Sequence, residues 1–154
     1  MGDDRVGDEL AARVDRLERI EAAKAASARY GRACDAKDVA LLADHVFTPD
    51  VVLRVPGGEY RGLDDATAFY RAAFDAEPGT RRHFFANYVA EVTDAGEVEL
   101  DSYFLFFSAD RDSVLGWGSY RDVVVVADGH GRIRAKTIVL DAHTTLGAGW
   151  ASGS

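Results

Sequence analysis

Asp35 and His83 are far apart in the chain, yet their residue types could do chemistry together. Asp35 lies in Tyr30-Gly31-Arg32-Ala33-Cys34-Asp35-Ala36-Lys37-Asp38, where a long helical pattern closes. His83 opens an apolar run, His83-Phe84-Phe85-Ala86-Asn87-Tyr88-Val89. An acid ending a helix and an imidazole starting a strand make a carboxylate–imidazole base if both face one cavity. A free imidazole titrates near 6.5, so at neutral pH it is mostly unprotonated and able to take a proton. A carboxylate on its other nitrogen fixes the tautomer and stabilises the imidazolium. Such a base can abstract a proton beside a carbonyl or leaving group, an assistance worth about 10²–10⁴-fold in rate. The Tyr30 phenol could protonate or hold a departing oxygen. This chemistry requires no metal or organic cofactor.

Each residue also has a plainer reading. Asp35 alone serves equally well as the exposed end of a helix. His83 alone reads first as a hydrogen-bonded histidine at a strand start. Tyr30 and Asp35 are five apart and do not share a helical face unless the helix ends between them. Asn87 has the strand parity of His83, so orienting substrate and making a structural hydrogen bond stand as equal readings. Phe104, Phe106 and Trp117 are ordinary core residues, but in a hollow domain they become substrate contacts, Phe104 and Phe106 first. The other histidines, His45, His130 and His143, show no HxH or HxxxH spacing and give no metal signal. Cys34 is the one cysteine. It excludes an internal disulfide and reads as a small packed thiol.

The elements that must position these residues follow a clear order. From Asp8, Leu10, Val14, Leu17, Ile20, Ala23, Ser27, Tyr30 and Cys34 recur every three or four residues, an amphipathic helix. The stripe turns from core-like to small and polar along its length, as expected of a helix leaving a core for a pocket. Asp38 reads as the cap of a short helix over residues 39–45, and Thr48-Pro49-Asp50 as its breaker. Residues 51–55 and 59–61 form a hairpin around Pro56-Gly57-Gly58. A third helix runs from Asp64 or Asp65 to about Ala76, stopped by Pro78-Gly79. Four strands follow, over residues 82–92, 97–108, 115–126 and 132–144, joined by Gly- and Asp-rich turns. Alternation places Val98, Leu100, Ser102, Phe104 and Phe106 on one face, and in the last strand puts Arg132, Arg134 and Lys136 toward solvent. Helices first and consecutive antiparallel strands after them give an α+β architecture, with three N-terminal helices packed on a highly curved antiparallel sheet that encloses a pocket.

Composition narrows the partners. The 154 residues, 47% hydrophobic, suffice for one domain with a sizeable core. We place it at residues 8–146, with flexible tails at 1–7 and 147–154. A net charge of −8 without a basic stripe argues against nucleic acid and anionic lipid. No run reaches the roughly 20 apolar residues of a membrane span, and the acidic N-terminus has no signal-peptide core. The expectation is a soluble, cytoplasmic domain with a small-molecule partner.

Tyr30-x4-Asp35-x2-Asp38, Phe47-x-Pro49-Asp50, Tyr60-x-Gly62, His83-x3-Asn87, Gly118-x-Tyr120-x-Asp122 and Arg132-Ile133 occur in this order. The chain thereby resembles the nuclear transport factor 2-like α+β cone and, within it, the SnoaL-like group that includes scytalone dehydratase, hexachlorocyclohexane dehydrochlorinase and bile-acid dehydratase. The resemblance implies a catalytic dyad of Asp35 and His83, with Tyr30 beside it. It implies a cofactor-independent lyase of dehydratase type acting on a hydrophobic, polycyclic or aromatic molecule. An isomerase or polyketide cyclase using the same base through an enolate is the alternative, and a non-catalytic ligand-binding or assembly module a second one. Self-association as a homodimer or homotrimer is expected of such a cone. The chain departs from the group in lacking a second strand histidine and a match for the additional arginine of the dehydrochlorinase-like and bile-acid dehydratase-like sites. Gly131 stands where a tryptophan is common.

Overall fold

Helix α1 (Asp3–Ala36) is the longest element, 34 residues. It belongs to a computed structural model that describes residues 3–77, 79–109 and 113–145. Residues 3–7, expected as a frayed tail, continue the helix, because extending an existing helix costs far less than starting one. The expected tail at 147–154 and the stop at Pro78 lie outside the described residues. Only the C-terminal half of α1 is packed. Ala22, Ala23, Ala26, Ser27, Tyr30, Ala33 and Cys34 are buried along one stripe. Leu10, Val14 and Leu17, expected on the core side, are exposed. Just beyond them the Arg19 guanidinium donates to the Gly96 carbonyl at 3.0 Å, where helix and sheet meet.

After α1 the Asp38 carboxylate accepts from the Leu41 amide at 2.8 Å and caps the short α2 (Val39–Leu41). A π-helix, Leu42–Val46, carries the chain into the sheet. The strands are β1 (Phe47–Val55), β2 (Gly58–Arg61), β3 (Thr80–Val92), β4 (Val98–Ala109), β5 (Val114–Ala127) and β6 (His130–Thr145), with α3 (Leu63–Ala76) between β2 and β3. Thr48-Pro49-Asp50 was expected to interrupt the chain but belongs to β1. The β1–β6 register shifts between Phe47 and Val52, and such an irregularity tolerates a residue with no N–H to donate.

The strands form one sheet ordered β2-β1-β6-β5-β4-β3. The β1–β6 pairing is parallel and the others antiparallel, so the sheet is mostly rather than wholly antiparallel. It is curved and open, and the three helices pack on it as an α+β cone. Leu42, Val46, Phe47, Val51, Leu53, Val98, Leu100, Val124 and Ile133 fill the space at one end with no exposure. Each such side chain contributes about 1.5–3 kcal/mol of transfer free energy. Among the described residues, no helix is long and apolar enough to cross a membrane.

Two bulges in β6 reset which side chains face inward. Val124 pairs with Ile133 but Val123 with Ala135, so Arg134 is the extra residue. Side chains alternate with period two, and one inserted residue reverses parity beyond it. Lys136, expected at the surface, therefore has 0% exposure. Val139, which the same alternation would place opposite Lys136 and inside, is 39% exposed.

Candidate active site

His83 enters the site from β3, whose inner residues Arg81, His83 and Phe85 pair with Ser108, Phe106 and Phe104 of β4. Asp35 enters from the last turn of α1. Their side chains meet with His83 Nδ1 2.7 Å from Asp35 Oδ1. The His83 backbone N–H donates to Asp35 Oδ2 at 3.3 Å, so one carboxylate holds both the ring and the strand carrying it. Their side chains keep 10% and 16% exposure.

Gly31 explains how helix and strand come so close. It lies one turn before Asp35, on the same helical face. A Cβ there would stand 2.8 Å from the Phe85 ring and 3.8 Å from the His83 Cβ. Only a residue without a side chain lets β3 approach α1 at this level. Gly116 and Gly118 of β5 do the same for the floor, where a Cβ would fall 2.3 Å from Phe106 and 2.9 Å from Phe104.

Beside the pair lies a cavity of about 280 Å³. Its wall is largely apolar, with Phe69, Phe74, Phe104, Phe106, Ile138 and Leu140 among its residues. Tyr30, Tyr70, Cys34, His83, Arg81 and Glu77 supply the polar groups. Asp35 lies on the other flank of His83, in a second depression with Gly31, Arg32 and Tyr88. With Nδ1 bound to Asp35, Nε2 on the far edge of the ring is the nitrogen left for a ligand. Tyr30 and Asp35 do lie on different faces of α1, as their spacing requires: Tyr30 lines the cavity and Asp35 the second depression. The Tyr30 and Tyr70 hydroxyls are 3.0 Å apart and hydrogen-bonded. Tyr70 did not stand out in the sequence, where it looks like one more aromatic on α3.

Of the four expected substrate contacts, Phe104 and Phe106 line the cavity. The parity assigned to Asn87 is corrected: it sits at a bulge between Ala86 and Val89, with φ +54°, and is exposed. Trp117 is corrected as well, since it alternates with Gly116 and Gly118 and faces the outer side of β5. His45, His130 and His143 are exposed. Among the described residues, no group of three or more His, Cys, Asp or Glu side chains converges as metal ligands would.

Titration sharpens these roles. Burial lowers the His83 pKa from its ordinary value, opposed by the hydrogen bond and charge of Asp35. The imidazole is therefore neutral, and a base, at neutral pH. Burial pushes the Cys34 thiol up to about 12, which leaves a protonated packing group. Tyr30 and Tyr70 are also raised by burial and remain phenols.

Behind the tyrosines the sheet holds a second pair that sequence parity had hidden. Lys136 Nζ donates to both Asp122 oxygens at 3.0 Å. It stands 4.0 Å from the Tyr30 ring centroid and 3.7 Å from that of Tyr120. Burial pushes Asp122 up and Lys136 down, each opposed by its partner.

The three helices on a curved open sheet have the cone-shaped α+β fold of the nuclear transport factor 2-like class. Residues 15–137 match the SnoaL-like domain, and the chain belongs to that family. Solved structures are similar. A protein named for scytalone dehydratase, from Novosphingobium aromaticivorans, is 19% identical at TM-score 0.76, covering 84% of this chain and 89% of its own. The hexachlorocyclohexane dehydrochlorinase LinA-type3 of Novosphingobium barchaimii is 20% identical at TM-score 0.78, covering 92% and 98%. Another from N. aromaticivorans, named for an aromatic ring hydroxylase, is 18% identical at TM-score 0.74, covering 84% and 94%. At such identity the likeness carries the fold alone. A search of curated protein sequences finds no match.

Proposed function

We propose that this protein is a cofactor-independent lyase carrying out dehydratase-type elimination on a hydrophobic, aromatic or fused-ring small molecule. The observation that carries the reading is the Asp35–His83 hydrogen bond at the wall of an apolar cavity that also holds the Tyr30–Tyr70 hydroxyls. His83 Nε2 takes a proton from a substrate carbon, and Asp35 stabilises the imidazolium. The neighbouring carbon loses its hydroxyl, which Tyr30 holds and protonates. Net, a C–H and a C–O bond break, a C=C bond forms and water departs. The names of the dehydratase-like and dehydrochlorinase neighbours agree with this class.

The cavity sets the scale of the substrate. An apolar cavity of about 150 Å³ takes one benzene ring. About 280 Å³ suits two fused rings better than four. A panel of bicyclic β-hydroxy ketones, assayed by product mass, tests the reading: loss of water supports it, and His83→Ala and Asp35→Asn strongly slow that loss. Products of unchanged mass make the protein an isomerase or cyclase. Binding without turnover, unaltered in both variants, makes it a binding module.

A further inference from the structure

Arg81 is the charged group that the proposed mechanism leaves unused. It is two residues before His83 on the same inner face of β3, and its side chain lines the cavity with only 12% exposure. Its Nε is buried and has no hydrogen-bond partner among the described residues. Its ion pair is with Glu77, whose side chain is 62% exposed at the rim. A guanidinium offers five donors. Here they face a largely apolar wall with one rim carboxylate to satisfy them, an arrangement incomplete without another acceptor.

The second cation, Lys136, lies sealed behind the rings of Tyr30 and Tyr120, its ammonium held by Asp122. An acidic protein of net charge −8 thus keeps two cations around one apolar hollow. Both also act to lower the His83 pKa. Glu77 balances the charge of Arg81 before reaction, so the resting site needs no charge on the substrate. What the site then lacks is negative charge that appears during the reaction, the situation in which fixed donors in a dry cavity act most strongly.

We infer that Arg81 is the oxyanion-binding residue of this site, and that the substrate is a neutral carbonyl compound whose acidic C–H lies next to the carbonyl. This rests on the reading of His83 as the base. His83 takes the α-proton, the C–H electron pair forms the C=C bond of an enolate, and the carbonyl π pair moves to oxygen, where Arg81 holds it. Collapse of the enolate restores the carbonyl and expels the hydroxyl on the β-carbon, which leaves as water with a proton from the site.

A planar oxyanion that does not react tests the assignment directly. 2-Naphthol fits the cavity scale, and its ionised form mimics an enolate. Its ionisation is read by absorbance, free and bound, across pH. In the wild-type protein the naphtholate binds about tenfold or more tighter than the naphthol, the scale of a charge-assisted hydrogen bond, so the bound ligand ionises at lower pH. Arg81→Met loses that preference. Glu77→Gln, at an exposed position where folding is not at stake, increases it. His83→Asn keeps the preference while abolishing turnover of the hydroxy ketones. The assignment is overturned if the wild type fails to prefer or bind naphtholate, or if Glu77→Gln leaves the preference unchanged. It is also overturned if Arg81→Met keeps the preference, whatever His83→Asn does to it, while lost turnover in His83→Asn still marks His83 as the base.

Discussion

The molecule holds two carboxylate–base pairs of similar length and opposite character. Asp35–His83 spans 2.7 Å at a cavity wall, each partner still partly exposed. Asp122–Lys136 spans 3.0 Å with side chains 1% and 0% exposed. The first joins α1 to β3 across 48 positions and leaves one ring nitrogen for a ligand. The second joins residues directly opposite each other on β5 and β6, and the two ring faces above the ammonium close it off. Short distance alone does not separate a pair that can meet a ligand from one that cannot. What separates them is whether an atom remains free beside a space that a ligand can enter.

The widest gap between the pairs is expected in kinetics. Once a substrate is in hand, His83→Ala lowers kcat/KM by about 10²–10⁴-fold, with the fold retained by circular dichroism. An unchanged rate would erase the distinction. Lys136→Met is expected to cost about 3–5 kcal/mol in urea unfolding, because it strands Asp122 in an apolar interior. The double variant Lys136→Met with Asp122→Leu recovers most of that loss, since a buried ion pair and an apolar pair of similar volume are close in energy. If the single variant unfolds like the wild type, the sealed pair is not structural.

Gly31→Ala tests the dyad's dependence on close approach. Alanine favours the helix by about 1 kcal/mol, yet its Cβ displaces Phe85 and the strand carrying His83. Turnover is expected to fall by up to about 10²-fold while stability barely changes, a split seen by assaying and melting the same sample. The smallest effect is in pH. Because His83 is held below its ordinary value, the acidic limb of kcat/KM lies below 6.5. Asp35→Asn removes the group that raises the pKa and moves the limb lower still. The linked stability has the same sign: a base buried neutral contributes fully above the unfolded value near 6.5, and that contribution is lost as pH falls toward the folded value.

Much of this was legible in the chain. Hydrophobic period distinguished helix from strand, Gly- and Asp-rich turns bounded the long strands, and alternation placed Phe104 and Phe106 inward on the regular strand β4. Residue chemistry allowed a base of Asp35 and His83, the family resemblance put Tyr30 beside it, and Asp38 read as the cap it is. Alternation failed where strands bulge. Asn87 slipped outward, and Lys136 slipped inward past a single extra residue, because period two carries no memory of parity once a residue is inserted. Leu10, Val14 and Leu17 satisfied a helical stripe, but periodicity gives a face and not the length over which a sheet covers it.

Local sequence therefore determined the elements and the kinds of chemistry available, since propensity, capping and side-chain pKa are properties of a residue and its near neighbours. Only the tertiary structure decided which groups meet. It took Gly31 against Phe85 to bring His83 to Asp35, a bulge at Arg134 to carry Lys136 inside, and the curve of the sheet to put Tyr70 and Arg81 on the same hollow. These are contacts between residues far apart in the chain, set by steric fit and register, and no local pattern encodes them.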